Sequence, residues 1–360
     1  MRRVTKKLLI FLVGLFIIWF YCEFLIYYIV ILQCKWPTIK NLGEGDVLKA
    51  FILADTHLLG PYRGHWLDKW RREWQMQQAF QAIIRFHEPD VVFILGDLFD
   101  EGEWTNDKQF KAYVQRFNRL FALPNHIKMY IVAGNHDIGF HNRIRRGFAE
   151  RFSKLMKAPS IQHLVLKNNH FILINSMAME GDSCNLCREA RNQIEIVSDT
   201  LKKCSQNSNH CSSNFNYSQP ILMQHFPLYR LSDAICTEPD APPYPEKKKI
   251  FRIKIDALSR EATDYLISKF RPRAVFGGHT HHGCLVKHNY KEIDVNFLEY
   301  SVPSFSWRNR PDPKFMLASI TPYDYAVEKC GLPTETTIAV SAVLMICILI
   351  IYLLRKRTIG

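Results

Sequence analysis

Seven residues able to bind a metal ion stand at the ends of apolar runs. "FILADTH" closes on Asp55 and His57, "VVFILGD" on Asp97, and "MYIVAGNHD" on Asn135, followed by His136 and Asp137. "PILMQH" closes on His225, and "AVFGGHTHHG" carries His279 and His281, with His282 beside them. Carboxylates, imidazoles and one amide oxygen suit Mn²⁺, Fe or Zn²⁺ better than Ca²⁺. Seven ligands are too many for one tetrahedral zinc but suit two ions that share a carboxylate. Such a pair, about 3.5–4 Å apart, can ionise a shared water and stabilise the entering and leaving oxygens of a phosphoryl displacement. Each fragment alone is ordinary, since "GNHD" could be a turn with a capping Asn. Five in series, each closing an apolar run, exceed what turn chemistry explains.

The elements that must position these residues follow from periodicity. "VLKAFILAD", "DVVFILGD", "HIKMYIVAGNHD", "HFILINS", "PILMQHFP" and "RAVFGG" read as strands without polar alternation, buried on both faces. Between them, "GHWLDKWRREWQMQQAFQAIIRFHE" has apolar residues at three- and four-residue spacing, an amphipathic helix stopped at Pro89. Further helices are expected over "DKQFKAYVQRFNRLFA", near Arg188–Lys203 and near Ser259–Phe270. The pattern is one α/β domain in which helices cover the sheet. Ligands bind outside the carboxyl ends of parallel strands, so these loops should converge. Cys204–Pro245 is polar and looser around its strand, and no fixed-period repeat occurs.

The two ends differ from this domain. Residues 8–32 carry one charge, Glu23, and residues 337–354 carry none. Both lengths fit the roughly 17–25 residues a membrane helix needs. The first run exceeds the roughly 7–15 residues of a signal-peptide core, and no small-x-small site follows. The second could be a lipid-attachment signal, but "RKR" behind it favours a stop-transfer helix. Arg2, Arg3, Lys6 and Lys7 precede the first span, and Arg355, Lys356 and Arg357 follow the second. Positive flanks stay cytosolic, so 1–7 and 355–360 are expected in the cytosol and 33–336 in the lumen. These charges make up over half of the net +13, which leaves little argument for nucleic acid as a partner. Glu23 is expected near the lumenal interface rather than paired within the bilayer.

Of ten cysteines, Cys22 and Cys347 fall in the spans. Cys34, Cys184, Cys187, Cys204, Cys211, Cys236, Cys284 and Cys330 would be lumenal, an even number that permits full pairing in unknown connectivity. Cys184 and Cys187 are expected to form a structural disulfide, zinc or redox chemistry being the alternatives. Asn216-Tyr217-Ser218 is a glycosylation acceptor if lumenal.

The series Asp55-Thr56-His57, Gly96-Asp97-Leu98-Phe99-Asp100, Gly134-Asn135-His136-Asp137, His225 and Gly278-His279-Thr280-His281 resembles the calcineurin-like metallophosphoesterases. That resemblance implies a β-sandwich flanked by helices in α/β/β/α layers, its core at 47–310. One ion would be held by Asp55, His57, Asp97 and His281, and the other by Asp97, Asn135, His225 and His279. His136 would be no ligand; it would protonate the leaving alkoxide, with Asp137 orienting it and Asp100 behind the ligands. The nucleophile would be a hydroxide bridging the ions.

The two spans around this domain resemble a small eukaryotic branch of the family, from the first span to about Cys330. The branch implies a Mn²⁺-dependent phosphodiesterase of the endoplasmic reticulum exit sites, the intermediate compartment and the cis-Golgi. Its substrate would be the ethanolamine-phosphate side branch on the second mannose of glycosylphosphatidylinositol (GPI) anchors, trimmed so that cargo receptors export the anchored proteins. Phe305, Trp307, Arg308, Tyr229 and Arg230 are candidate substrate contacts, and His65 and His141 follow metal motifs closely. The competing readings are a phosphoesterase for another lumenal lipid or glycan, a metal-binding cargo receptor without turnover, and a thiol oxidoreductase at Cys184 and Cys187. His136 with Asp137 argues against the receptor, and no thioredoxin-like context supports the oxidoreductase.

Overall fold

The computed structural model describes residues 2–40, 46–141, 144–181, 184–206 and 217–355. Cys211, Asn216, Lys356 and Arg357 lie outside them. In chain order the elements are α1 (Arg2–Phe20), a π-helical turn (Tyr21–Leu25), α2 (Ile26–Ile31), β1 (Leu48–Leu53), α3 (Trp66–His87), β2 (Val91–Leu95), α4 (Asp107–Leu120) and β3 (Lys128–Val132). Then come α5 (Asn135–Ile138), α6 (Arg146–Met156), β4 (Ile161–Leu166), β5 (Asn169–Ile174), α7 (Asn185–Gln206), β6 (Ile221–Gln224), α8 (Arg260–Phe270) and β7 (Ala274–Gly277). β8 (Cys284–Tyr290), β9 (Val295–Ser301), β10 (Lys314–Ile320), β11 (Tyr325–Gly331) and α9 (Glu335–Arg355) complete the series.

Two mixed sheets result, ordered β11-β10-β1-β2-β3 and β4-β5-β6-β7-β9-β8. The apolar runs have no polar alternation because both faces of each central strand are covered. Ala50 and Ile52 of β1 join Phe93, Phe171, Met223 and Phe276 in a core between the sheets. Phe51 and Leu53 face the helices, with Phe80 and Ile83 of α3. Burying each such side chain stabilises by about 1.5–3 kcal/mol. Helix α3 starts with the His65 side chain accepting from Leu67 N, and ends where Glu88 turns left-handed before Pro89.

All six expected strands form, and the four expected helices match α3, α4, α7 and α8. β4 and β8 to β11 were not foreseen. β8 and β9 alternate polar and apolar residues and form one border of the second sheet, while β10 pairs antiparallel with β1 from more than 250 residues away. Long-range pairing of that kind leaves no local signal.

Disulfides join Cys34 to Cys330, Cys184 to Cys187 and Cys236 to Cys284, and Cys204 is also bridged. Cys22 and Cys347 are free. Two helices, Val4–Ile31 and Glu335–Arg355, are long and apolar enough to cross a membrane. They pack together where Gly14 meets Leu349, whose side chain a Cβ at position 14 would displace.

Candidate active site

The loops that follow β1, β2, β3, β6 and β7 meet at one point. Asp55, Asp97 and His225 are fully buried there, at 0%, 1% and 0% exposure, an environment that demands compensation for two carboxylates. The centre of the arrangement is Asp97. Its Oδ2 lies 3.4 Å from His57 Nε2 and 3.4 Å from His225 Nε2, so one oxygen faces ring nitrogens on both sides. Its Oδ1 accepts from the His136 backbone N–H at 2.8 Å.

On one side of Asp97, His57 Nε2 and His281 Nε2 stand 3.2 Å apart, with Asp55 Oδ1 at 3.9 and 3.7 Å from them. On the other side, Asp97, His225 and His279 bring ligand atoms within 4.8 Å of one another, and Asn135 Oδ1 lies 3.1 Å from His225 Nε2. Second partners fix the rings. His57 Nδ1 contacts Asp100 Oδ1 at 3.1 Å, and His225 Nδ1 donates to Leu95 O at 2.7 Å. Such partners set the tautomer and leave Nε2 for a metal. A neutral His225 therefore aims an unprotonated nitrogen at two oxygens. Acceptors facing acceptors require a cation or an extra proton, so these residues fit a pair of metal ions.

The electrostatics agree. Burial holds His279 down at about 3 and keeps His57 and His281 below the usual range, so these rings are neutral, as coordination requires. Burial also acts to lower His225, but the Asp97 carboxylate overrides it and pushes the ring up to about 9. That proton occupies the place of the positive charge the carboxylates demand.

Backbone geometry sets these residues apart. Asp55 (φ 57°), His57 (43°), Asp97 (50°), His279 (72°) and His281 (60°) all lie in the left-handed region. Each placement costs about 1–3 kcal/mol and persists only where surrounding structure enforces it. Gly134 and Gly278 permit the close approach of the loops. A Cβ at Gly134 would sit 2.1 Å from Asp97 N, and one at Gly278 would sit 2.9 Å from Asp55 Oδ2.

His136 and Asp137 differ from the sequence expectation. Asp137 does not touch the His136 ring; its carboxylate accepts from Phe99 N at 3.0 Å and Gly134 N at 2.9 Å, capping the short helix α5. His136 Nδ1 is instead held by Asp100 O at 3.0 Å. A carbonyl only accepts, so Nδ1 carries the hydrogen in that contact. His136 also lies within ligand distance of His57 and Asp97, a third grouping that overlaps the first.

The remaining candidates separate by exposure. Phe305, Trp307 and Arg230 are buried at 0%, 3% and 5%; Trp307 donates to Pro333 O, and Arg230 pairs with Asp233 and Glu299. Arg308 reaches Asp100 Oδ2 at 3.1 Å and stays partly exposed. Arg63, not foreseen, approaches the same oxygen at 3.5 Å while stacked 4.2 Å from the Trp104 ring. His141 is held by Met177 O, and His65 caps α3. His282 lines a cavity of about 160 Å³ with His279, Phe251, Asp233, Glu246 and Asp256.

The calcineurin-like phosphoesterase profile matches residues 48–283, which hold every ligand candidate. The chain is 47% identical over 348 residues to "Metallophosphoesterase 1 homolog" of Drosophila melanogaster, covering 93% of this chain and 90% of that one. It is 46% identical to "Metallophosphoesterase 1" of Mus musculus (92% and 85% covered) and 44% identical to that of Cricetulus griseus (98% and 91%). The chain therefore belongs to the calcineurin-like phosphoesterase family, closely related to the metallophosphoesterase 1 proteins, and its clustered ligands are those of a binuclear metallohydrolase.

Proposed function

We propose that this protein is a membrane-tethered, lumen-facing phosphodiesterase that removes the ethanolamine-phosphate side branch from the second mannose of GPI anchors. The observation that carries the two-metal reading is the Asp97 oxygen shared, at equal distance, by His57 and His225. Asp55, His57, Asp97 and His281 would hold one ion, and Asp97, Asn135, His225 and His279 the other, Mn²⁺ in both. Two bound divalent ions supply Lewis-acid polarisation of phosphoryl oxygens and an activated water.

The chain's own residues do the rest. Asp100 orients His57 through Nδ1 and, through its carbonyl, the ring of His136. His136, partly exposed at the site's mouth, holds a proton at Nε2 and gives it to the departing alkoxide. Arg308 and Arg63, both on Asp100, bring two guanidinium groups to one carboxylate and leave positive charge facing the phosphate. The recess beside His279 gives room for a substituent on phosphorus, as a diester needs. The apolar segments 8–32 and 337–354 would contain the spans, and 33–336 would then be lumenal, on the side where anchored glycans stand. Residence at endoplasmic reticulum exit sites and the cis-Golgi, and hand-over of trimmed cargo to export receptors, complete the reading.

The test is mass spectrometry of anchors from cells lacking the protein, rescued with wild type or Asp97→Ala. Wild type should remove the second-mannose ethanolamine phosphate and Asp97→Ala should leave it. Equal anchors in all three lines would sink the substrate assignment.

A further inference from the structure

The exposed aromatic residues at the start of α3 need an explanation. Trp66, Leu67 and Trp70 are 70%, 49% and 60% exposed, although the same helix buries Gln75, Met76, Ala79 and Phe80 a turn later. Large apolar residues clustered on a surface mark an interaction site. At 100° per residue, 66, 67, 70 and 74 share one face of the helix. The row is uncovered at its start and covered at Trp74, whose ring meets Phe24 of the first apolar helix edge-on at 5.3 Å. From Phe24 the aromatic contacts continue along that helix to Phe20 at 5.5 Å and Trp19 at 5.5 Å.

Ion pairs fix the level of this face. Arg71 pairs with Glu23 of the first apolar helix, and Arg72 pairs with Glu335, the first residue of the second, at 2.5 Å. Lys7 to Glu23 is about 24 Å of helix and Glu335 to Arg355 about 30 Å, at about 1.5 Å per residue. Each span is close to the roughly 30 Å of a hydrocarbon core whose other boundary is marked by basic residues. Neighbouring arginines thus clasp both helices where a bilayer spanned by them would end. Tryptophan is the residue enriched at that boundary.

Resting on the reading of the two helices as spans, we propose that the first two turns of α3 lie in the lumenal headgroup layer. Trp66, Leu67 and Trp70 insert among the lipids. The segment Leu58–His65 joins this element to Asp55 and His57, so the metal loops are held at the leaflet surface. A substrate anchored in that leaflet reaches the site without leaving the membrane.

The test uses the full-length protein in phosphatidylcholine nanodiscs doped with a diazirine-bearing phosphatidylcholine, with adducts mapped by peptide mass spectrometry. Adducts are expected on both apolar helices and on the peptide holding Trp66–Trp70. Trp66→Ser/Trp70→Ser, at exposed positions, should lower labelling of that peptide about fivefold or more, with helix labelling unchanged. Labelled helices with an unlabelled Trp66–Trp70 peptide would overturn the proposal, leaving the face to water or a protein partner. Unlabelled helices would remove the spanning reading and the proposal with it.

Discussion

Two histidine-rich regions of this molecule look alike in composition and differ in everything that matters for chemistry. On the hairpin of β4 and β5, His163 Nε2 meets His170 Nδ1 at 2.9 Å, the rings stacked at 5.1 Å beside Tyr217. Each is mid-strand or at a strand start, with ordinary backbone. The histidines at the strand ends face carboxylate oxygens, two of them (His57 and His225) have the second nitrogen fixed by Asp100 and Leu95, and three sit at positive φ. A histidine pair can satisfy itself by sharing one proton. The strand-end cluster has more acceptors than protons to share and so demands cations. Neither the residue type nor its burial separates the regions; the partner of the second ring nitrogen and the strain in the backbone do.

The largest break in that contrast is Asp97→Ala, which removes the oxygen common to both halves. Hydrolysis of bis(4-nitrophenyl) phosphate should fall by more than about 10³-fold, beyond the loss of a single oxyanion donor. Elemental analysis should show both ions depleted. Retention of one full equivalent would mean that the halves bind independently and Asp97 is no bridge. His136→Ala comes next, with turnover down about 10²–10⁴-fold, the range for a general acid. Its two ions should remain. Loss of a metal equivalent would assign His136 to the grouping with His57 and Asp97 instead.

The convergence of the candidate ligands was legible in the sequence because strands buried on both faces are unbroken apolar runs, and each run stops abruptly at a polar residue. What was not legible depends on three-dimensional pairing. Asp137 follows His136 directly, yet its carboxylate points to Phe99 N and Gly134 N, while Asp100, 36 residues earlier, reaches the ring. A motif records order, not hydrogen bonds. The left-handed backbone at five of these candidates has no sequence signature beyond adjacent glycines. Trp66 and Trp70 belong to an apolar spacing that predicted burial, but the core begins one turn later.

Replacing the two aspartates separately sharpens the point. Asp100→Asn weakens the hold on His57 and should lower metal affinity or activity about 10–100-fold. Asp137→Asn keeps one acceptor and loses the other, leaving a buried N–H of Gly134 or Phe99 unsatisfied. That costs about 1–3 kcal/mol of stability. Its effect on turnover, measured at a temperature where both variants are folded, should be the smaller. A larger loss of turnover in Asp137→Asn would restore it as the partner of His136.

The smallest effect belongs to the other histidine region, and its sign follows from linkage. Burial, with the neighbouring His170, lowers His163 to about 4, so the folded protein keeps that ring neutral. The unfolded chain protonates it near its ordinary value of about 6.5. Between these values the unfolded state binds more protons, so folding stability falls as pH drops from about 6.5 toward 4 and is unaffected above that window. The whole shift is worth at most about 3.5 kcal/mol, and less because the ring is partly exposed to solvent screening. His163→Gln should therefore flatten the fall in thermal midpoint between pH 7 and pH 5 while leaving metal content unchanged. An equal fall in variant and wild type would show that His163 already takes up its proton in the folded state. The two regions would then be more alike than their geometry implies.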